Sequence, residues 1–365
     1  MKLTRTPAHE GTTVRREFLT GIVALGATML LPRGESEARM ATPRPHRIDV
    51  HHHHTPPPYV AALTARNIPG PVRDWTPEKS IADMDKAGVA TALTSITTPA
   101  MRFLNDADAR KVARECNEYT AKLVADSKGR FGMFAVMPMP YVDATLREIA
   151  YALDTLKADG ISLLTSYGDK WLGDAALAPV MDELNRRLAV VFTHPTTANC
   201  CANLIPDVPE SIVEWGTDTT RTIASLVFSG TAARCRDLKL IFSHGGGTMP
   251  FLTERFVRLP LINKNLAARV PNGVEQELQR FYYDTAQAAH PMALASLTKL
   301  VPASQIVFGS DFPYRTAADH VKGLMAFGFS ASDLAAVDRE NAVRLIPRLK
   351  NSQLTPAGRR SFSPR

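Results

Sequence analysis

The chain has 365 residues, 45% hydrophobic and 22% charged, with 26 prolines and 21 glycines; this ordinary globular composition allows one large α/β domain or two smaller ones. Its formal charge of +7 gathers at the ends, where Lys350, Arg359, Arg360 and Arg365 carry no neighbouring acid and residues 1–38 hold five basic against four acidic groups. About +2 is left for the rest, which implies no nucleic-acid surface but leaves room for a local basic pocket that takes a carboxylate. Cys116, Cys200, Cys201 and Cys235 show no paired metal-binding spacing and read as buried free thiols.

Arg15 and Arg16 are followed by Glu17, Phe18 and Leu19, then by an uncharged run from Gly21 to Leu31. This start resembles a twin-arginine export signal, with Thr20 where a lysine is often found. The run is too short to span a bilayer, and Ser36-Glu37-Ala38 offers small residues for cleavage after Ala38. Residues 1–38 are therefore expected to be a signal peptide. The mature protein is expected in a bacterial periplasm or outside the cell, without a membrane segment.

Strand-like runs then recur with helix-like segments between them. The predicted strands are Arg47 to Val50, Val89 to Ile96, Phe131 to Met137, Gly160 to Thr165, Ala189 to Thr193, Leu238 to Ser243, Phe281 to Asp284 and Gln305 to Gly309. Amphipathic stretches separate them, among them Ala107 to Ala125 and Leu177 to Arg187. Eight strands alternating with helices over about 300 residues predict a single (β/α)8 barrel across residues 46–347. A doubly wound open sheet shares the local pattern, but no glycine-rich phosphate loop follows the first strand. The Pro-rich stretch 55–80 reads as a loop inserted over the barrel mouth, and residues 351–365 as a flexible basic tail.

Polar signals sit at the strand exits: His51 to His54, His194 in Phe-Thr-His-Pro, His244 in Phe-Ser-His-Gly-Gly-Gly, and Asp311 in Phe-Gly-Ser-Asp-Phe-Pro. Side chains alternate along a strand, so His51 and His53 share a direction, although a slip to His52 and His54 stays open. With His194 and Asp311 they make three imidazoles and a carboxylate, a set that a divalent cation accepts while keeping one position for water or substrate. His244 ends a buried strand. The glycines after it allow backbone or substrate to approach closely, or simply make a tight turn into the next helix.

These four motifs, in this order, resemble the amidohydrolase superfamily over residues 46–347, in particular its decarboxylase branch, with aminocarboxymuconate-semialdehyde decarboxylase and γ-resorcylate decarboxylase. The segments Gly168 to Asp174 and Glu183 to Arg187 look closest to 6-methylsalicylate decarboxylases. The resemblance implies a metal held by His51, His53, His194 and Asp311. It makes His244 the catalytic acid or base beside it, with Asp311 the other candidate for protonating substrate. It also implies a homodimer, in which Arg255 binds the substrate carboxylate across the subunit contact. Two-metal members use a carboxylated lysine on strand four; this strand has none, and Lys170 beyond it is expected to face solvent, so one metal is expected, zinc first and manganese second. Trp171 and Tyr314 are candidates for sandwiching a substrate ring. The expected activity is non-oxidative decarboxylation of a small aromatic or enoic acid of hydroxybenzoate type. The alternatives are metal-dependent hydrolysis of an amide, ester or lactone, and a barrel that binds without chemistry.

Overall fold

Each strand forms where β-branched and aromatic residues cluster, and each is buried almost throughout. The computed structural model describes residues 46–351 apart from Pro71. The expected signal peptide and the tail beyond Asn351 lie outside the described residues. The strands are β1 (Arg47–His53), β2 (Val89–Ser95), β3 (Phe131–Val136), β4 (Gly160–Leu164), β5 (Val190–His194), β6 (Lys239–Phe242), β7 (Tyr282–Asp284) and β8 (Ile306–Val307). They pair in sequence order in one parallel sheet. Backbone hydrogen bonds from Val50 N to Phe308 O, from Asp311 N to His51 O and from His53 N to Phe312 O draw the exit of β8 against β1. The sheet thus nearly closes into the expected barrel.

The helices are set by local chemistry. Pro77 opens the helix Pro77–Ala87, Thr76 caps it by accepting from Lys79 N, and Gly88 ends it at φ 67°, a left-handed turn natural to glycine. The chain then enters β2 at once. Asn105 caps the long helix Asp106–Asp126 through Asp108 N, and two aspartates in its first turn suit the helix dipole.

One departure concerns residues 55–80. The stretch is not a plain inserted loop, because Pro57–Ala65 is a helix that buries Tyr59, Ala62 and Leu63. Prolines at the first helical positions cost no hydrogen bond, so a Pro-rich start masked a helix. The segment still reaches the mouth, where Val72 and Trp75 lie beside His53, His54 and Tyr314. A second departure is the length of β1, which carries three of the four histidines inside the strand.

The barrel interior is a second apolar cluster, distinct from the layer between sheet and helices. It includes Ile48, Val50, Leu93, Phe134, Phe192, Ile241 and Val307. Phe134 and Phe192 stack in it at 5.4 Å, and the Phe192 ring supports His51 at 4.8 Å. Strict alternation would put Val50 and His51 on opposite faces. The register of β1 against β2 shifts between Asp49 and His52, and such a bulge re-aims the residues beyond it. Ile48 and Val50 thereby fill the floor while His51 and His53 also turn inward above it.

Candidate metal centre

Five side chains converge at the strand exits. His51 and His53 come from β1, His194 from β5, His244 from the turn after β6 and Asp311 from the turn after β8. His51 Nε2 lies 3.0 Å from His53 Nε2 and 3.2 Å from Asp311 Oδ1, and His53 Nε2 is 3.1 Å from the same oxygen. His244 Nε2 is 3.5 Å from Asp311 Oδ2. Ligand atoms of His51, His194, His244 and Asp311 all lie within 4.8 Å of one another.

The remaining nitrogens are occupied, which sets the tautomers. His51 Nδ1 donates to Asp284 Oδ2 at 2.7 Å, His53 Nδ1 faces Ser95 Oγ at 3.1 Å, and His194 Nδ1 donates to Pro195 O at 2.8 Å. Each Nε2 is thereby turned toward a shared centre, where it can offer a lone pair to a cation. Asp311 Oδ1 and His244 Nε2 are buried without an acceptable hydrogen bond among the described residues. Crowded lone pairs and an orphaned carboxylate oxygen are unfavourable alone and favourable around a cation. Imidazole nitrogen with one carboxylate oxygen is a donor set for zinc, manganese or a similar divalent ion, so the residues present fit such a group.

The electrostatics agree. Burial disfavours a charged His51, but the carboxylates of Asp284 and Asp311 outweigh it and raise its pKa to about 10. Without a metal the proton supplies the positive charge that the site calls for. Burial alone would raise Asp311, yet the charge of His51 and the nearness of the His244, His51 and His53 rings hold it well below the usual carboxylate range. Burial, with His53 and His51 beside it, keeps His194 well below its ordinary value and therefore neutral.

His52 and His54 serve the core, which resolves the register of the run. His52 donates to Asp49 Oδ2 at 3.1 Å and meets Ser80 Oγ at 2.8 Å. His54 bonds Ser95 O and Thr120 Oγ1, and burial lowers its pKa to about 3.

Two buried carboxylates build the frame, and sequence reasoning missed both. Asp49 accepts from His51 N at 3.1 Å, Ser310 N at 3.0 Å and Ser310 Oγ at 2.5 Å, tying β1 to the residue before Asp311. Asp284 accepts His244 N at 2.9 Å and Ala286 N at 3.0 Å through the oxygen not used by His51. It thus holds two site histidines at once. Their only signal in the sequence is an acid inside or at the end of an apolar run. His244 and Asp311 adopt φ of 56° and 61°, strained values for non-glycine residues that these bonds maintain.

Other expected residues fall elsewhere. The Trp171 indole donates to Asp218 Oδ1 at 2.7 Å, in a knot with Thr165 and Ser166, and makes no ring contact with the five site residues. The tryptophan that does is Trp215, 5.7 Å from His194. Tyr314 does reach the site, edge-on to His53 at 5.9 Å. Arg255 is exposed on the helix Met249–Ile262 and forms no ion pair among the described residues. Lys170 is exposed and β4 carries no lysine, as expected. The glycines after His244 make room for protein: a Cβ on Gly247 would lie 2.0 Å from Gly216 O and one on Gly246 2.8 Å from the Tyr283 ring. Of the cysteines, all free, Cys200 is exposed rather than buried.

Decarboxylase yanB of Aspergillus niger is 38% identical over 325 residues, which cover 83% of this chain and 88% of that protein. The 6-methylsalicylic acid decarboxylase acuB of Aspergillus aculeatus is 34% identical over 325 residues, 84% of this chain and 98% of its own. In fold, the chain is similar to a dihydroxybenzoic acid decarboxylase from Polaromonas sp. JS666, solved with bound manganese and the inhibitor 2-nitroresorcinol. That likeness has a TM-score of 0.70 at 19% identity over 83% of this chain and 97% of the other. The family model described as Amidohydrolase matches residues 48–348. A match that runs through nearly every described residue is a shared domain rather than a shared motif, and the chain belongs to the amidohydrolase family.

Proposed function

We propose that this protein is a metal-dependent, non-oxidative decarboxylase of a small aromatic or enoic carboxylic acid, with hydroxybenzoates of the 6-methylsalicylate kind as the leading substrates. The observation that carries the reading is the convergence of three inward imidazole nitrogens, an orphaned Asp311 oxygen and an unpartnered His244 Nε2, in a chain whose relatives at 34% and 38% identity are decarboxylases. His51, His53, His194 and Asp311 are assigned to one divalent ion, zinc first and manganese second. When bound, the ion supplies a Lewis acid that anchors an acid's carboxylate and adjacent hydroxyl and withdraws charge from them.

His244 is assigned to proton transfer. Its Nε2 is buried without a partner, and its backbone is pinned by Asp284, so the ring is placed before substrate arrives. The ring carbon that bears the carboxylate gains a proton, its bond to that carboxylate breaks, and the electron pair returns to the ring as carbon dioxide leaves. Asp311, held ionised by the surrounding histidines, is poorly suited to donate that proton. Tyr314 and Trp215, edge-on to His53 and His194, are suited to flank an aromatic ring; Trp171, committed to Asp218, is not. Release of carbon dioxide from a panel of hydroxybenzoates tests the reading, and release of an amine, alcohol or ring-opened acid from amide, ester or lactone substrates would replace it with hydrolysis.

The remaining expectations are carried as proposals. A homodimer would bring Arg255 of one protomer to the substrate carboxylate of the other; a monomer in sedimentation would remove that role. The start around Arg15 and Arg16 is read as a twin-arginine signal that would send the enzyme to the periplasm or outside a bacterial cell, and N-terminal sequencing should find a start near Arg39. Among the described residues no helix is long and apolar enough to cross a membrane.

A further inference from the structure

Asp311 has two oxygens with different neighbours. Oδ1 faces His51 and His53, whereas Oδ2 accepts the side-chain amide of Gln287 at 2.7 Å. Gln287 is exposed while Asp311 is buried, so the amide stands on the solvent side of the carboxylate. Gln287 is itself held in a left-handed conformation, φ 54°. Its N–H donates to His320 Nε2 at 3.0 Å, and His320 Nδ1 in turn donates to Thr316 O at 2.9 Å. His320 is fully buried and burial lowers its pKa, which keeps it neutral and able to accept. Neither Gln287 nor His320 has a part in the chemistry assigned above.

We propose that Gln287 is a positioning residue that apportions the oxygens of Asp311, with His320 bracing it from beneath. With Oδ2 occupied by the amide, the carboxylate turns Oδ1 toward the histidine nitrogens, and His244 Nε2, 3.5 Å from Oδ2, is left without a carboxylate partner and open to substrate. The inference rests on the assignment of Asp311 to a divalent ion. Partners of this kind typically set metal affinity or activity by 10–100-fold.

The test titrates Mn²⁺ alone into metal-stripped full-length protein and measures kcat and KM on an acid that the wild type decarboxylates. Gln287→Ala and Gln287→Glu, the latter of similar shape but with a carboxylate against a carboxylate, should each weaken Mn²⁺ binding or lower kcat by roughly 10–100-fold, with KM within about threefold. His320→Leu should act in the same direction, and its effect should largely vanish in a Gln287→Ala background, the non-additivity expected of one chain of contacts. If the alanine variant is too unstable to assay, Gln287→Asn, which accepts left-handed backbone but shortens the arm by a methylene, takes its place with the same expectation. Gln287 variants with Mn²⁺ affinity and kcat within twofold of wild type overturn the inference and leave the functional reading standing. A wild-type protein that binds no divalent ion overturns both.

Discussion

Asp284 is the position where the frame of the site can be measured against its function. The residue is fully buried, and its two oxygens take His51 Nδ1, His244 N and Ala286 N. Asp284→Ala leaves three buried donors unpaired, at about 1–3 kcal/mol each, or roughly 3–9 kcal/mol against the 5–15 kcal/mol that typically holds a protein folded. That variant should express poorly or unfold at greatly lowered temperature. Asp284→Asn keeps an oxygen for the two backbone N–H groups and loses only the charged bond to His51, worth about 1.5–3 kcal/mol. At about 2–4 °C per kcal/mol for a large domain, the asparagine variant should melt roughly 3–12 °C below wild type, and the alanine variant lower still. Asparagine also releases the tautomer of His51, so metal affinity should fall about 10–100-fold. Calorimetry of the metal-free proteins and metal analysis after dialysis against a defined free-ion concentration measure the two effects separately. An Asp284→Asn protein that melts within a degree of wild type and keeps its metal would refute the assigned role.

Three further outcomes follow from the same contacts. His194→Ala should lose metal and activity together, whereas His244→Ala should keep the metal, measured by elemental analysis, and lose turnover by about 100-fold or more; loss of metal in both would make His244 a ligand. Asp49→Ala breaks the bonds to His51 N, His52 and Ser310 and should cost at least about 2 kcal/mol in denaturant unfolding, together with metal affinity, because Ser310 no longer fixes the turn into Asp311. Away from the site, hydrogen bonds from Arg186 and Arg187 lower the pKa of Glu183 from its ordinary 4.5 to about 2. A depressed carboxylate stabilises the fold above the unfolded pKa, and that contribution fades as pH falls through the folded one. The Tm difference between wild type and Glu183→Gln should therefore be small but full at pH 6, shrink below about pH 4.5 and be gone near pH 2.

Much of the barrel was legible because buried parallel strands are continuous apolar runs, and each predicted run contains or overlaps an observed strand. The strand ends were less so: β1 continues through His53 because its histidines are buried and paired, which composition alone does not show. The helix Pro57–Ala65 was hidden by prolines that normally signal a loop. At the site, the five converging residues announced themselves as polar groups at apolar strand exits. The bulge that turns both Val50 and His51 inward left no mark in the sequence, and neither did the choice between Trp171 and Trp215. That choice depends on which tryptophan Asp218 claims. Asp49 and Asp284 were visible only as acids where apolar residues were expected, and their partners lie 261 and 233 residues away.

The most direct test of the account is the reaction itself in deuterium oxide, using protein reconstituted with zinc or manganese and a 6-methylsalicylate-type acid, with carbon dioxide and the phenol followed together. The account predicts one carbon dioxide per phenol formed, no oxidant consumed, one deuterium on the ring carbon that bore the carboxylate, and loss of both products when the metal is chelated. Turnover that is indifferent to chelation, or a protein that leaves such acids intact while hydrolysing esters or lactones, would contradict it.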